Sequence, residues 1–469
     1  MLELPRRGAP KPKAGEQERK AEARGRWRGA TSRATLTPGT PLPRCYGHAR
    51  SAVDTAFVGS YGGVSQLAAM GPATMVADLT VILLGWHAGA TLNFGLRAES
   101  SSKRARVYGA SLVIGVLMGI AVMACHLASP EQLVGVFRPD AALVGDATAY
   151  VRIRALALPL YCLSNSLYGM CAARKDAISP LVVAGVSCVL NGVLDYALVG
   201  VLGWGIHGAA WATMASQALA PAAYLLRPSL RRDLRNVAVA RAKDYVPFAY
   251  FAAPVIFVTV STLSCFAFQQ AFASQLGLAV AAAHKIAIGV FCVAAFLGDP
   301  VSLTMQSFLP AVLAEQGPRA ARQFALWVCR VSLAVGLTAG LLVALSLNVG
   351  GVFFTADASV RSLAASVWPQ LLCSIAFLLP LRALNGAAVA CGDLLFYASA
   401  TAMNAAVFAG VLFLLLGTGG GGTASSSFAA LWTATVGFYV AGAAQFGWRL
   451  LVWRGGKLQA QRAGALKAA

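Results

Sequence analysis

Charge is what this chain has least of. Asp, Glu, Lys and Arg together supply 12% of its 469 residues, roughly half the share of an ordinary globular protein. Such scarcity excludes a protein wetted on all sides. With 58% hydrophobic residues and a mean hydropathy of +0.65, the chain needs an apolar solvent, and its recurring apolar runs have the length of helices that cross a bilayer. Metal-binding spacings are lacking too. The ten cysteines are scattered, mostly inside apolar segments, with no CxxC and no Cys/His cluster, so they read as small packing residues rather than disulfide or metal ligands. No Walker lysine motif, zinc motif or Ser/His/Asp-like arrangement points to an enzyme, and no cofactor is expected.

The formal charge of +20 invites a nucleic-acid reading until it is located. Residues 1–50 hold twelve Lys or Arg against four Glu and no apolar run; they read as a disordered basic tail or a targeting segment. Beyond them, apolar segments recur at 72–96, 107–127, 155–172, 179–202, 206–227, 247–273, 280–300, 323–348, 367–389, 394–417 and 427–452. The connections alternate in charge. One set carries Arg97/Lys103/Arg104/Arg106, Arg174/Lys175, the run from Arg227 to Lys243, Arg319/Arg322, Arg382 and a basic tail over 456–469. The other set, including GVLGWGIHG, SQLG and GTGGGGTASSS, has almost no Lys or Arg; only Arg138 and Arg361 interrupt it. Alternation of this kind is membrane topology, with the basic side facing the cytoplasm or its organelle equivalent. No nucleic-acid partner follows from it.

The chain also repeats itself. FRPD (Phe137 to Asp140) returns as FTAD (Phe354 to Asp357), and Gly169–Asp176 returns as Gly386–Asp393, both 217 residues later. LAAMGPATMV (Leu67 to Val76) is answered by AAAHKIAIGV (Ala281 to Val290) at 214. An ordered series at one offset means a duplication. The expected fold is an all-α polytopic membrane protein of two pseudo-symmetric six-helix lobes, at 51–235 and 245–455. Its first half shows only five apolar segments. The residues ahead of Asp54 include Pro38, Pro41, Pro43, Arg44, His48 and Arg50, which predicts that the first helix is truncated or missing here.

Chemistry concentrates where charge is most expensive. Asn191 and Asp195 stand four residues apart inside the apolar run Leu181 to Val201, on one face of a helix. A carboxylate at that depth costs about 2.5–3.5 kcal/mol. Asp54 opens the apolar region within VDTAFVG. Asp78 and His284 are further pocket candidates; a packed, hydrogen-bonded histidine is the simpler reading of His284.

These motifs carry a family resemblance. VDTAFVG, LAAMG, the run GMCAARKDAISP leading into NGVLD and GIHGAAWAT, then AAAHKI, FFTAD and NGAAVACGD resemble the multidrug and toxic compound extrusion (MATE) family, in its DinF-like branch with plastid members of plants and algae. The resemblance implies a cation-coupled antiporter with two lobes around a central cleft. It also implies a cation site in the N-terminal lobe at Asp54, Asn191, Asp195 and Thr213, taking H⁺ or Na⁺ with no other metal. The first helix of the second lobe, 247–273, has no acid, so coupling is expected in the N-terminal lobe alone. The expected partners are a small organic solute and membrane lipids, and the expected state a monomer. Alternatives are a truncated, non-transporting membrane protein or a lipid-linked flippase of similar architecture. The plastid envelope and other cellular membranes both remain open as its location.

Overall fold

The computed structural model describes residues 42–176, 178–417 and 423–452. Within them the chain winds into twelve rods in two series of six. The first series is α1 (Leu42–Phe57, widened into a π turn at Val58–Gly62), α2 (Gly63–Leu84, bending at Gly85 into Trp86–Leu96), α3 (Ser101–Ala128), α4 (Ala141–Ala155 and Leu158–Ala173), α5 (Ile178–Asp195, ending in a π turn at Tyr196–Val201) and α6 (Gly205–Leu225). The second is α7 (Ala242–Ser274), α8 (Leu278–Ala295 and Gly298–Gln316), α9 (Pro318–Asn348), α10 (Ala358–Ser366 and Trp368–Ala390), α11 (Leu394–Gly417) and α12 (Ala424–Gly447). Among the described residues nine helices are long and apolar enough to span a membrane, or ten when the two parts of α4, bent by 48°, are taken as one. That tally runs α1 into α2, and α6 falls outside it. The chain is a multi-pass integral membrane protein.

The duplication is visible in the backbone. Gly63 and Gly277, 214 residues apart, both adopt positive φ (78° and 100°) where α2 and α8 begin. Lys175 and Gly392, 217 apart, both turn left-handed (φ 62° and 68°) behind α4 and α10. There the amides of Asp176 and Asp393 reach back to the carbonyls of Cys171 and Ala388 (3.0 and 2.9 Å), the same helix-ending turn twice. Asp140 and Asp357 cap the starts of α4 and α10 in the same way, accepting from Ala142 N and from Ser359 and Val360 N.

One expectation is corrected. The first helix is present: residues 42–57 are helical despite Pro43, and the π turn carries the coil on to Gly62. Proline at the first turn costs little, because the N–H it lacks has no partner there. The helix therefore begins inside the segment assigned to the basic tail, and Asp54 has helical backbone around it. The tail proper, residues 1–41, and the basic tail at 456–469 lie outside the described residues.

Polar contacts sort the two ends of the bundle. At the basic end, Arg174 pairs with Asp233 (2.5 Å), Arg106 with Asp244 (3.5 Å) and Arg449 with Asp393 (3.1 Å). At the opposite end the lobes meet. Ser60 Oγ donates to the Phe353 carbonyl at 3.1 Å, and a Cβ added to Gly59 would lie 1.8 Å from the Phe354 carbonyl oxygen. Only glycine permits that approach of backbone to backbone. Arg382, assigned to the basic loops, instead lies within α10, where it pairs with Asp299 of α8.

Candidate functional site

Three helices of the N-terminal lobe bring Asp54, Asn191, Asp195 and Thr213 together. α1 lies against α5, and α6 packs on both. Every one of the four side chains is almost completely buried, Thr213 being the most exposed at 3%. Asn191 is the bridge: its Nδ2 donates to Asp54 Oδ1 and to Asp195 Oδ2, each at 3.1 Å. Thr213 Oγ1 donates to Asp54 Oδ2 at 2.7 Å. The helical spacing read from the sequence explains the geometry, since residues four apart present their side chains to one spot. Each carboxylate-bearing helix loosens into a π turn just beyond its acid, a distortion common at functional sites.

Two oxygens are left over. Asn191 Oδ1 and Asp195 Oδ1 are buried without a hydrogen-bond donor, a costly condition in a well-packed interior. The inventory is therefore two carboxylates, an amide oxygen and a hydroxyl, all oxygen and rich in negative charge. That donor set suits a proton or a hard cation. It does not suit a soft metal, which asks for sulfur or imidazole.

The other sequence candidates lie elsewhere. Asp78 on α2 faces Arg154 of α4 at 3.8 Å, and Arg154 also donates to Tyr150 Oη at 2.8 Å. His284 is not beside the carboxylates. It is buried in the C-terminal lobe against the rings of Phe428 and Trp432, with both ring nitrogens unpartnered. His87 is held by the carbonyls of Leu84 and Cys162 (2.6 and 3.0 Å), and His207 faces Asp146 at 3.7 Å. The flanks of Asp176 and Asp393 are helix-end turns, as their place in basic connections indicates.

Comparison with known proteins shows what the chain is similar to. The MatE family model matches residues 45–197. That stretch contains Asp54, Asn191 and Asp195. Over that third of its length the chain is similar to the MATE family. Its relatives include the Arabidopsis thaliana proteins DETOXIFICATION 47, chloroplastic (29% identical over 56% of this chain) and DETOXIFICATION 44, chloroplastic (29% over 67%). The chain spans 49% and 63% of those two relatives' own length. A solved MATE family transporter in an inward-facing conformation superposes with a TM-score of 0.75 at 18% identity, covering 90% of this chain and 96% of its own. An outward-facing one gives 0.65 at 18% identity, over 94% and 96%.

Three cations of this chain are not marked as functional by the sequence. Arg50, taken as tail, sits on α1 one turn before Asp54 and reaches Ser216 Oγ at 3.5 Å. Arg154 stood at the edge of an apolar segment, next to nothing that marked Asp78 as its partner. Lys285 was visible beside His284, but its destination depends on how the lobes meet. The C-terminal lobe, for its part, holds a cavity of about 250 Å³ beside the Asp299–Arg382 pair, lined by rings such as Phe266, Phe438 and Tyr439 and by the amides of Asn385 and Asn404.

Proposed function

We propose that this protein is a secondary active antiporter that exports an organic solute in exchange for H⁺ or Na⁺. One observation carries the reading: a single buried asparagine bridges two buried carboxylates from different helices, and two oxygens of that cluster lack donors. Two carboxylates so close, in so little water, cannot both stay ionised without a counter-ion. Arrival of a proton or Na⁺ neutralises the site, and departure restores its charge. Asn191 and Thr213 orient the acceptors. A site whose charge records which side last supplied cations drives alternating access when two lobes rock around it. The lobes touching at the end without basic loops fit the state open toward the basic side.

The solute enters from the basic side, and the C-terminal cavity with its aromatic rings offers it a surface. We place the protein in the plastid envelope, following the chloroplastic relatives and the basic N-terminal residues. Proteoliposomes with an imposed pH or Na⁺ gradient test the function. Wild type should drive export of a fluorescent organic solute, while Asp195→Asn should insert normally and drive none. Full export by Asp195→Asn would remove the site assignment.

A further inference from the structure

A lysine from the opposite lobe is inserted next to this site. Lys285, on α8, is 3% exposed. Its ammonium crosses the lobe boundary and donates to Thr74 Oγ1 of α2 at 2.8 Å and to Ser51 Oγ of α1 at 3.4 Å. Ser51 stands one turn before Asp54, and Thr74 one turn before Asp78. No carboxylate lies within ion-pair distance of Lys285 among the described residues; its partners are neutral hydroxyls. A buried ammonium so placed is costly, so it must be held by charge at slightly longer range.

The groups around it identify that charge. Asp78 and Asp54 act on Lys285, along with Cys292 on its own helix and Arg154 of α4, and His284 is its chain neighbour. Both acids belong to the N-terminal lobe. Asp78 already faces Arg154 at 3.8 Å, so much of its field is cancelled. Asp54, bonded to the neutral side chains of Asn191 and Thr213 and with Asp195 behind it, is the part of the charge facing Lys285 that lies within the cation site. Arg50 is no substitute: it rides on the same helix as Asp54 and keeps its place whichever way the lobes move. At the duplicated position in the N-terminal lobe stands Gly71, so the cation exists on one side only.

Resting on the antiport reading above, we propose that Lys285 is the lock that forbids the empty carrier from switching. With the carboxylates charged, the ammonium is drawn across the boundary and holds the lobes together at this depth. Cation binding cancels the charge and frees the lysine, and on the return leg bound solute displaces it, so that only a loaded carrier releases the lobes. An antiporter requires such a rule, because a carrier that switches empty dissipates the gradient. The lock acts as differential attraction between states, the only way a bound ligand shifts a conformational equilibrium.

The test reads lobe contact directly. Ser60→Cys and Phe353→Cys are introduced into full-length protein whose other cysteines are replaced, and disulfide cross-linking is followed in lipid nanodiscs with and without Na⁺ and at high and low pH. With Lys285 present, cross-linking should fall several-fold when the cation is supplied. Lys285→Met should make the yield insensitive to the cation, and Lys285→Arg, which keeps the charge, should restore the dependence. Asp195→Asn separates the two ideas. A cation-insensitive Asp195→Asn beside a Lys285→Met that responds like wild type overturns the lock and spares the site. A cation response that persists in Asp195→Asn overturns the site and the lock with it.

Discussion

The two lobes are copies with the same turns and unlike interiors. At the shared offsets, Asp54 corresponds to Phe268, Asn191 to Phe408 and Asp195 to Leu412. Phe408 and Leu412 are buried at 3% exposure like the polar residues they replace, whereas Phe268 is 40% exposed against 1% for Asp54. One lobe thus brings carboxylates together between α1 and α5, while at the matching positions of the other α11 buries hydrocarbon and α7 turns Phe268 outward. The C-terminal lobe keeps its own charge lower, as a matched Asp299–Arg382 pair beside the cavity. Matched charge is internally compensated and has no need of an ion from outside. The N-terminal carboxylates are instead bonded only to the neutral Asn191 and Thr213. The lesson is that duplication fixes turns and caps, while function resides where the copies diverge.

That contrast can be broken in several ways. The largest effect should come from Asp54→Asn, which should reduce gradient-driven export to background, whereas Phe268→Leu or Leu412→Ala at the duplicated positions should leave coupling intact; parallel proteoliposome assays compare them. Next in size is Arg382→Met, which strands a half-buried Asp299. Breaking a fully buried pair from one side costs about 3–5 kcal/mol and this half-buried one less, so the variant should melt below wild type in detergent, and adding Asp299→Leu should recover most of the loss. Thr213→Val removes one hydrogen bond to a carboxylate, worth about 1.5–3 kcal/mol. Because that donor stabilises the ionised Asp54, its loss should tighten apparent proton affinity by about tenfold or more while maximal export persists, a split visible in proton titrations.

The smallest effect lies at the caps. The Ser359 hydroxyl and the Val360 and Ser359 amides hold the Asp357 carboxyl below the usual carboxylate range. A carboxyl depressed on folding contributes stability that is fully present above its unfolded value of about 3.9 and fades as pH falls through its folded value. Asp357→Asn should therefore flatten the acid side of the melting profile below about pH 4, leaving neutral-pH export unchanged. Thermal melts across that range check it.

Much of this was legible in the sequence. Apolar runs, alternating loop charge and two constant offsets gave two six-helix lobes, because bilayer thickness and helix geometry leave few other solutions. Asn191 and Asp195 announced themselves by cost and spacing. Contacts across the lobes were not legible. Lys285 reaches Thr74, 211 residues away, and nothing local to either residue encodes that meeting. The first helix was misjudged because prolines and arginines near its start were weighed as if they had to lie in hydrocarbon. Arg382 was misplaced for a related reason: a lone cation reads as a loop until its partner Asp299 is seen.

The most direct measurement is solute-induced cation release from the purified full-length protein, followed with a pH indicator or labelled Na⁺. Wild type should release cation as solute binds and Asp195→Asn should release none, with the C-terminal variant Leu412→Ala matching wild type. Equal release from Asp195→Asn and wild type would contradict the N-terminal site.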